Sequence, residues 1–571
     1  MQKTWHIRQP DPESVKRLRR TLNCHPITAA VLINRQIHSE KEASDFLNVS
    51  LNNIRSPFSL KDMETAVRRI YAAIKGNQNI LIFGDYDVDG VTATALLVDF
   101  FRDIGANVSY YIPHRLREGY GLQANHINHL AQPNEIDLII TADCGSANFE
   151  AAAIARNCGI DVIITDHHNI SAKIPPATAV INPKRQDCTA GLDQLAGVGV
   201  AFSLLICLRK FLRDEHFWRD QPEPNLKNSC DLVALGTIAD IVPLVHENRI
   251  YSKTGLELIN ANGRIGITAL LEAAGISKGT VDADDIAFRL APRLNAAGRM
   301  EHASTAMELL TATDINHARQ IAATLNGFNQ TRQDLERKIM DDILSRLDEQ
   351  PELLEKKTLV LWDRQWHEGV LGIVASRLVE KYYRPAVLIA VKAMHCKGSA
   401  RSIPEINLYE RLLACKDVLE NFGGHSMAAG LSLTRENLKP FQRQFEQAVS
   451  QRITPDDMVP KIFVDGELEF TDISEQLIDE LESLAPFGAG NPEPIFMARN
   501  VTVASSKIVG RNHRRMVLTQ KSNSAGKTIN AIHFNVDTGL PLKNSFDRIA
   551  FKVRWNRWNG IKTAQVVVED A

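Results

Sequence analysis

The rhythm of apolar and polar positions changes several times along this 571-residue chain. Residues 1 to about 50 carry short helical patterns in "SVKRLRRTL", "PITAAVLINR" and "SEKEASDFL". From Lys61 onward helical and strand patterns alternate. An amphipathic helix leads to a strand over Asn79–Phe83, a loop follows, and the next helix is predicted over Val91–Ile104. The β-branched runs "ANVSYYIP", "IDLIITADCG" and "IDVIITDHH" come next with helical sequence between them, and "ATAVINP" is a candidate further strand. Strands spaced by helices predict an α/β fold whose parallel sheet is covered on both faces. In such sheets ligands gather at the carboxyl ends of the strands.

After about Thr311 the period lengthens. Ile321, Leu325, Phe328, Leu335, Ile339, Ile343 and Leu347 fall at three-, four- or seven-residue spacings with no intervening proline, which predicts one long helix to about Leu347. A second, smaller α/β unit begins at "KTLVLWD" and runs through "PAVLIAV" to "NFGGHSMAAGLSL". From about Lys461 strand-like runs dominate, among them "PIFMARNVTVASSKIVG", "TINAIHFNV" and "RIAFKVRWNRW". Five or six short strands in that stretch suggest a small β-barrel, with the OB-fold as first candidate. The expected organisation is an N-terminal helical segment (1–50), a parallel-sheet domain (51–310), a connecting helix (311–350), a smaller α/β domain (351–455) and a C-terminal barrel (456–571).

Composition changes this picture little. With 44% apolar and 23% charged residues the chain reads as globular rather than disordered. It has no apolar run near the ~20 residues that span a bilayer. The stretch "MQKTWHIRQPDPESVKRLRR" lacks the apolar core of a secretory signal. The eight cysteines are scattered without a C-x-x-C pair, which argues against both a zinc ribbon and a disulfide framework. A reduced, cytoplasmic protein without a membrane partner is expected. Charge adds an asymmetry. Val501–Ala571 holds twelve Lys or Arg against four Asp or Glu, a balance of +8, which leaves −10 on the remainder. Either an anionic partner or a merely solvated basic face accounts for it.

The candidate chemistry starts at "ILIFGDYDVDG", where Asp85, Asp87 and Asp89 alternate before Gly90. An EF-hand loop would need a preceding helix and a Glu at its twelfth position. Here a strand precedes the loop and the twelfth position is Leu96. Three carboxylates so close call for a divalent cation or a raised pKa, and a helix-capping cluster accounts for only one or two of them. Other strand ends supply more. Asp143 ends "LIITAD", Asp166, His167 and His168 end "VIITDHH", and Asp240 sits in the apolar "DLVALGTIADIVPL". Carboxylate and imidazole together suit Mn²⁺ or Mg²⁺, in number enough for two ions.

The motifs "DYDVDG", "TADCG", "TDHHN" and "GTIADIVPL" resemble the first four motifs of the DHH phosphoesterase superfamily. "RLAPRLNAAGRM" and "FGGHSMAAGLSL" narrow the likeness to the RecJ family of bacterial single-strand-specific exonucleases, and "GGHSMAAG" resembles the glycine-rich motif of the DHHA1 domain. The likeness covers nearly the whole chain, with no departure at an expected ligand position.

The resemblance implies that Asp85, Asp87, Asp89, Asp143, His167 and Asp240 hold two divalent cations, Mn²⁺ or Mg²⁺. His168 would stand beside them in the catalytic set, and Asp166 would orient a histidine. Arg115, Arg117 and Tyr120, together with Ser399, Arg401 and Ser402, would grip the 5′-phosphate and the strand near the scissile bond; for any single arginine a surface ion pair is the competing reading. Arg293, Asn295 and Arg299 would form a phosphate-binding motif bordering the metals, and Gly423 and Gly424 would let the backbone approach the strand closely, with His425 as a polar contact. In the tail Trp555 and Trp558 interleave with Arg554, Arg557 and Lys562, a pattern suited to stacking on single-stranded nucleic acid unless one tryptophan is core.

The implied activity is metal-dependent hydrolysis of single-stranded DNA from its 5′ end to mononucleotides. The implied setting is recombination, recombinational repair and mismatch repair, as a monomer beside a single-strand-binding protein and a helicase. Two alternatives stay open. One is a DHH phosphodiesterase of short oligoribonucleotides, cyclic dinucleotides or pyrophosphate; the other is a non-catalytic replication scaffold.

Overall fold

A short strand, Thr4–Ile7, which the helical reading of the first fifty residues did not include, precedes three capped helices. Asp11 accepts from the Ser14 N–H at the start of α1 (Pro12–Leu22), a proline begins α2 (Pro26–Asn34), and Ser39 and Glu42 cap α3 (Glu40–Leu47) reciprocally. The structure, a computed structural model, describes residues 3–571 apart from 220, 393–394, 522–525, 538, 540–542 and 559–560; the side chains of Asn262, Lys521 and Trp558 also lie outside it. Two compact units carry the chain. One comprises Met1–Thr4, Ala296–His302 and Thr324–Ile462, and the other Trp5–Asn295, Ala303–Ala323 and Phe463–Ala571.

The larger unit contains the predicted parallel sheet. Strands β1 (Ile80–Gly84), β2 (Val108–Tyr111), β3 (Leu138–Ala142), β4 (Asp161–Thr165) and β5 (Ala179–Ile181) pair in the order β2–β1–β3–β4–β5, all parallel. Every residue of β1 and β3 is buried, as a sheet covered on both faces requires. Leu81, Phe83, Ile139, Val162 and Ile164 build the core on one face. The chain leaves β1 for β2 on one side and comes back to β3 on the other. The carboxyl ends of β1 and β3 therefore flank the point where strand order reverses. Helix α4 (Val88–Asp103) begins three residues before the predicted Val91, because the Asp87 side chain accepts from the Gly90 N–H at 3.0 Å and closes the first turn early. Helix α5 (Gly197–Asp214) is buried over its first half, α6 (Cys230–Ala239) is almost wholly buried, and α7 (His246–Asn262) follows them.

The long predicted helix is α8 (Ile315–Glu349), 35 residues without a break. In the smaller unit its residues Ile339, Ile343 and Leu347 share a core with Val374 and Leu378 of α9 (Leu371–Tyr382). That unit's sheet is mixed. Strands β6 (Leu359–Asp363) and β7 (Ala386–Lys392) are parallel, and β8 (His395–Arg401), β9 (Asn421–Gly424) and β10 (Ala428–Thr434) extend it antiparallel in the order β9–β10–β8–β7–β6.

The C-terminal strands close a five-stranded barrel, with helix α10 (Glu475–Ser483) packed beside it. Strands β11 (Phe496–Val509), β12 (His513–Lys521), β13 (Gly526–His533), β14 (Ser545–Trp558) and β15 (Ile561–Asp570) follow one another round the ring as β11–β12–β13–β15–β14, and β14 pairs back on β11. Only β13–β15 is parallel. The 14-residue strands β11 and β14 each serve two neighbours, and a register shift at Val503/Ser505 marks the bend in β11. This is the OB-type barrel the sequence suggests. Its core includes a contribution the sequence pattern did not reveal. Leu18 of α1 and Val31 and Leu32 of α2 pack into one cluster with Leu477 of α10 and Phe496, Phe551 and Val566 of the barrel. Trp5 Nε1 also donates to Asp570 Oδ2 at 2.8 Å.

Candidate metal centre

Every strand that ends near the switch point delivers an acid or an imidazole. Asp85 follows β1, Asp143 follows β3, and Asp166, His167 and His168 follow β4. The backbone ladder runs on past the strands: Asp85 N–H bonds to Ala142 O (3.2 Å), Asp143 N–H to Thr165 O (3.0 Å) and Asp166 N–H to Ile181 O (3.1 Å). Three neighbouring strand ends thereby hold their side chains in register. Asp89 lies in the first turn of α4, where its carboxylate accepts from the Gly197 N–H at 2.6 Å and the Val198 N–H at 2.8 Å. It thus caps a second helix, α5, whose dipole favours the negative charge. Asp240 is the C-cap of α6, the end where a helix disfavours an anion.

These groups converge. His167 Nε2 lies 3.2 Å from Asp143 Oδ1, 3.5 Å from Asp240 Oδ2 and 3.8 Å from Asp89 Oδ2. Three overlapping sets place one ligand atom from each member within 4.8 Å of the others: Asp85, Asp87 and Asp143; Asp89, His167 and Asp240; Asp143, His167 and His168. Asp143 and His167 each belong to two of them.

The fit to cations can be tested on the buried atoms. Asp85 Oδ1, Asp143 Oδ1 and His167 Nε2 are buried and take part in no hydrogen bond with described residues. Leaving such groups unpaired in an interior is expensive, and a cation shared among them removes the penalty. Adjacent ligands of an octahedral ion at about 2.1 Å lie about 3 Å apart, close to the His167–Asp143 spacing. Three aspartates, a histidine and further carboxylates form a hard, oxygen-rich set that suits Mn²⁺ or Mg²⁺. The residues fit.

The electrostatics agree. Burial, then the charge of Asp87, pushes the Asp89 carboxyl up to about 7. Burial and Asp89 push Asp240 up to about 8. Burial first and neighbouring carboxylates second drive Asp85 and Asp143 well above the ordinary range. Burial, with His168 close by, holds His167 down to about 3, so its imidazole is neutral and a nitrogen lone pair is available. His168 behaves oppositely. Burial opposes its charge, but the hydrogen bond and charge of Asp166 push it up to about 9.

Asp166 itself accepts from the backbone N–H groups of Ser146 (2.9 Å), His167 (2.8 Å) and His168 (3.1 Å) and stands 2.8 Å from His168 Nδ1. Although burial would raise it, the bonds to His168 and Ser146 keep it below the usual carboxylate range. It orients the turn and the second histidine.

Two further residues were not singled out from sequence. Asn182, at the end of β5, donates to Ser146 Oγ (2.8 Å) and His168 O (2.9 Å). Its place as a polar residue at a strand's carboxyl end was the available signal. Gly197 opens α5 where an added Cβ would meet Asp143 Oδ1 at 2.4 Å, so only glycine lets the helix approach the aspartate. Asp143 itself has φ +63°, a strained conformation for a non-glycine residue that turns its side chain out of the strand.

The expected phosphate-binding residues are distributed differently. Tyr120 Oη donates to Asp143 O at 3.2 Å and stands 3.1 Å from His168 Nδ1, while the residue as a whole is 39% exposed. Arg115 lies over the Tyr86 ring at 4.7 Å, and Arg117 is exposed. Arg293 donates to Arg289 O at 2.6 Å, and Asn295 Oδ1 is buried without a described hydrogen bond; both belong to the larger unit. Arg299 belongs to the smaller unit and donates to Gly369 O at 2.8 Å.

In the smaller unit Arg401 Nη1 donates to Ser399 Oγ at 3.2 Å. A Cβ on Gly372, in the first turn of α9, would meet Arg401 Nη2 at 2.7 Å and Ser399 Oγ at 2.9 Å. A guanidinium over a helix N-terminus concentrates positive potential, which an anion satisfies. Ser402 is a correction: its hydroxyl is buried and donates to Ile406 O at 2.9 Å, so it braces the backbone instead of facing a ligand. Gly423 and Gly424 lie on the sheet-edge strand β9. Gly424 has φ +143°, and a Cβ there would meet Ala428 O at 2.3 Å; the His425 N–H closes the hairpin on that carbonyl at 2.8 Å.

The tail also needs correction. Trp555 is buried in the barrel core, its Nε1 donates to Asp479 Oδ1 at 2.7 Å, and Lys562 Nζ covers its ring at 4.0 Å. It cannot serve as a stacking platform; the Trp558 side chain lies outside the described residues. Arg554 pairs with Glu493, Arg557 with Glu482 at 2.6 Å, and Lys562 with Asp479 at 2.7 Å. Part of the local positive charge is therefore answered by acids on α10 and the segment after it, which the sequence window did not include.

Comparison with known proteins returns a consistent answer. The models for the DHH family N-terminal domain, the DHHA1 domain and the RecJ OB domain match residues 79–237, 355–451 and 464–570. The chain is 35% identical to the single-stranded-DNA-specific exonuclease RecJ of Bacillus subtilis over 572 residues, covering 99% of this chain and 70% of the relative. It is 35% identical to that of Escherichia coli, covering 95% of each. The crystal structure of RecJ in complex with Mn²⁺ from Thermus thermophilus superposes with a TM-score of 0.83 at 30% identity, covering 99% of this chain and 79% of the other.

Proposed function

The chain belongs to the RecJ group of the DHH family, and we propose that it is a divalent-metal-dependent exonuclease that degrades single-stranded DNA from the 5′ end to mononucleotides. The observation that carries the chemistry is the buried pair Asp143 Oδ1 and His167 Nε2, 3.2 Å apart, with neither atom hydrogen-bonded to the other or to any other described residue.

Asp85, Asp87, Asp89, Asp143, His167 and Asp240 would hold two divalent cations, Mn²⁺ or Mg²⁺. When bound, the cations supply a water of lowered pKa and neutralise charge on the phosphoryl and leaving 3′ oxygens. The protein's own part is to order that site. Neutral His167 offers a lone pair, the α5 N-terminus fixes Asp89, and His168 carries its second proton at neutral pH as a donor suited to a phosphoryl oxygen. None of the cysteines acts as a nucleophile in this reading. Cys144, the cysteine beside Asp143, is buried, and its thiol is pushed far up by burial and then by Asp85. Arg401 and Ser399 over the first turn of α9 suit a terminal phosphate, and Tyr120, Arg115 and Arg117 suit the strand near the centre. Gly423 offers bare backbone on a sheet edge. In the cell this activity serves recombination, recombinational repair and mismatch repair in the cytoplasm, as a monomer beside a helicase and a single-strand-binding protein.

The test is a degradation assay with Mn²⁺ or Mg²⁺ on four substrates: a long 5′-phosphorylated single strand, the same strand in duplex, a strand with a blocked 5′ end, and a dinucleotide. Mononucleotide release from the first alone, abolished by EDTA, supports the proposal. Preference for the dinucleotide would favour a small-substrate phosphodiesterase, and inactivity on all four would favour a scaffold.

A further inference from the structure

Asp240 differs from the other ligands because the carboxyl end of a helix carries it. The residue after it, Ile241, has φ +61° and is 71% exposed. A β-branched residue in that region is strained, and such a turn persists only where its flanks are held.

The flank is held from the barrel side of the chain. Leu244 N–H donates to Ala489 O at 2.7 Å. An added Cβ on Gly488 would meet Leu244 Cδ1 at 2.8 Å, and one on Gly490, which has φ +70°, would meet Pro243 Cβ at 2.9 Å. The turn is itself fastened at both ends. Asn491 Nδ2 donates to Leu484 O (2.9 Å) and Pro486 O (2.7 Å), and buried Arg249 donates to Leu484 O and Ala485 O, both at 2.9 Å. Next to Arg249 on α7, Asn248 Nδ2 reaches Gln194 O at 2.6 Å and Pro243 O at 3.0 Å. One amide thereby ties the segment after Asp240 to the segment that leads into Gly197, the residue packed against Asp143.

We propose that the turn Gly488–Asn491 and Asn248, both acting through Pro243, position Asp240 in the metal centre, so that the barrel end of the chain helps to set metal affinity. Asn248 and Gly490 are positioning residues in this scheme. The inference rests on the metal-centre reading above.

Mn²⁺ binding to the full chain, followed by isothermal titration calorimetry without substrate, tests it. Gly490→Ala and Asn248→Ala are expected to weaken binding about tenfold or more, the range for residues that support metal ligands. Ile529→Ala, a cavity in the barrel core, should lower thermal stability and leave the isotherm unchanged. If Gly490→Ala does not fold, Asn248→Asp carries the test, since it keeps the side chain's shape and removes its donors. Folded variants with isotherms within twofold of the unaltered chain overturn the inference. So does equal weakening by Ile529→Ala, which would make the effect general. An unaltered chain that binds no Mn²⁺ overturns the metal centre, and this inference with it.

Discussion

His167 Nε2 stands 3.2 Å from Asp143 Oδ1, yet neither atom makes a hydrogen bond with the other or with any other described residue. Two ligands of one cation have this relationship. Replacing either, as Asp143→Ala or His167→Ala, should lower hydrolysis about a thousandfold or more, since a catalytic metal contributes several kcal/mol. Single-strand binding measured by fluorescence anisotropy should largely survive. Retained Mn²⁺-dependent activity in either variant would refute the assignment.

Metal removal should give stability a distinctive pH dependence. Asp89 and Asp240 keep their protons up to about 7 and about 8 in the folded chain, against an ordinary 3.8. Between 3.8 and those values the folded state holds protons that the unfolded state has released, so stability falls as pH rises through the window. His168, raised from 6.5 to about 9, acts in the same direction over the upper part of it. The thermal midpoint of EDTA-treated protein should therefore drop from about pH 6 to about pH 9, and Mn²⁺ should reverse the drop. A midpoint that rises with pH in EDTA would contradict the raised carboxyl values.

Gly197→Ala should damage the centre without touching a ligand. The new methyl group would meet Asp143 Oδ1 at 2.4 Å, and the helix start it belongs to also holds Asp89. Loss of about 10–100-fold in metal affinity is expected, with circular dichroism close to that of the unaltered chain.

Arg401 over the first turn of α9 should read the strand's terminal phosphate. Arg401→Ala is expected to lower kcat/KM on a 5′-phosphorylated strand by about 10-fold or more, the worth of a charge-assisted contact, and to affect a 5′-hydroxyl strand much less. Equal loss on both substrates would assign Arg401 a different role.

In the barrel, Trp555→Ala should act on folding. Removing a buried tryptophan typically costs about 3–5 kcal/mol, read as a shift of the denaturation midpoint. Where the variant remains folded, its affinity for a single strand should be near that of the unaltered chain. A selective loss of affinity with unchanged stability would restore the stacking role.

The parallel sheet, the long helix and the barrel were legible because each has its own period of apolar residues and little competing signal. The convergence of Asp85, Asp143 and His167 was legible because in a parallel sheet the residues after neighbouring strand ends have one place to meet. Partnerships across long separations were not. Asp479 and Glu482, which neutralise Lys562 and Arg557, lie about eighty residues away on a different element, so a count of local charge overstated what the tail offers. The start of α4 was placed late because Asp87 was read as a ligand alone, whereas its carboxylate also accepts the Gly90 N–H as a cap. Trp555 looked exposed among arginines because alternation along β14 cannot say which face a barrel turns inward.

The shared core of α1, α2 and the barrel bears on how the protein is made. Helices near the start of the chain pack against strands near its end, so on the ribosome they must wait for about 500 further residues. At about 5–20 residues per second that is roughly half a minute to two minutes. Through that interval the apolar faces of Leu18, Val31 and Leu32 lack the neighbours that finally cover them. A message cut short before the barrel would yield a nascent chain whose first helices stay uncovered, a natural handle for chaperones and proteases.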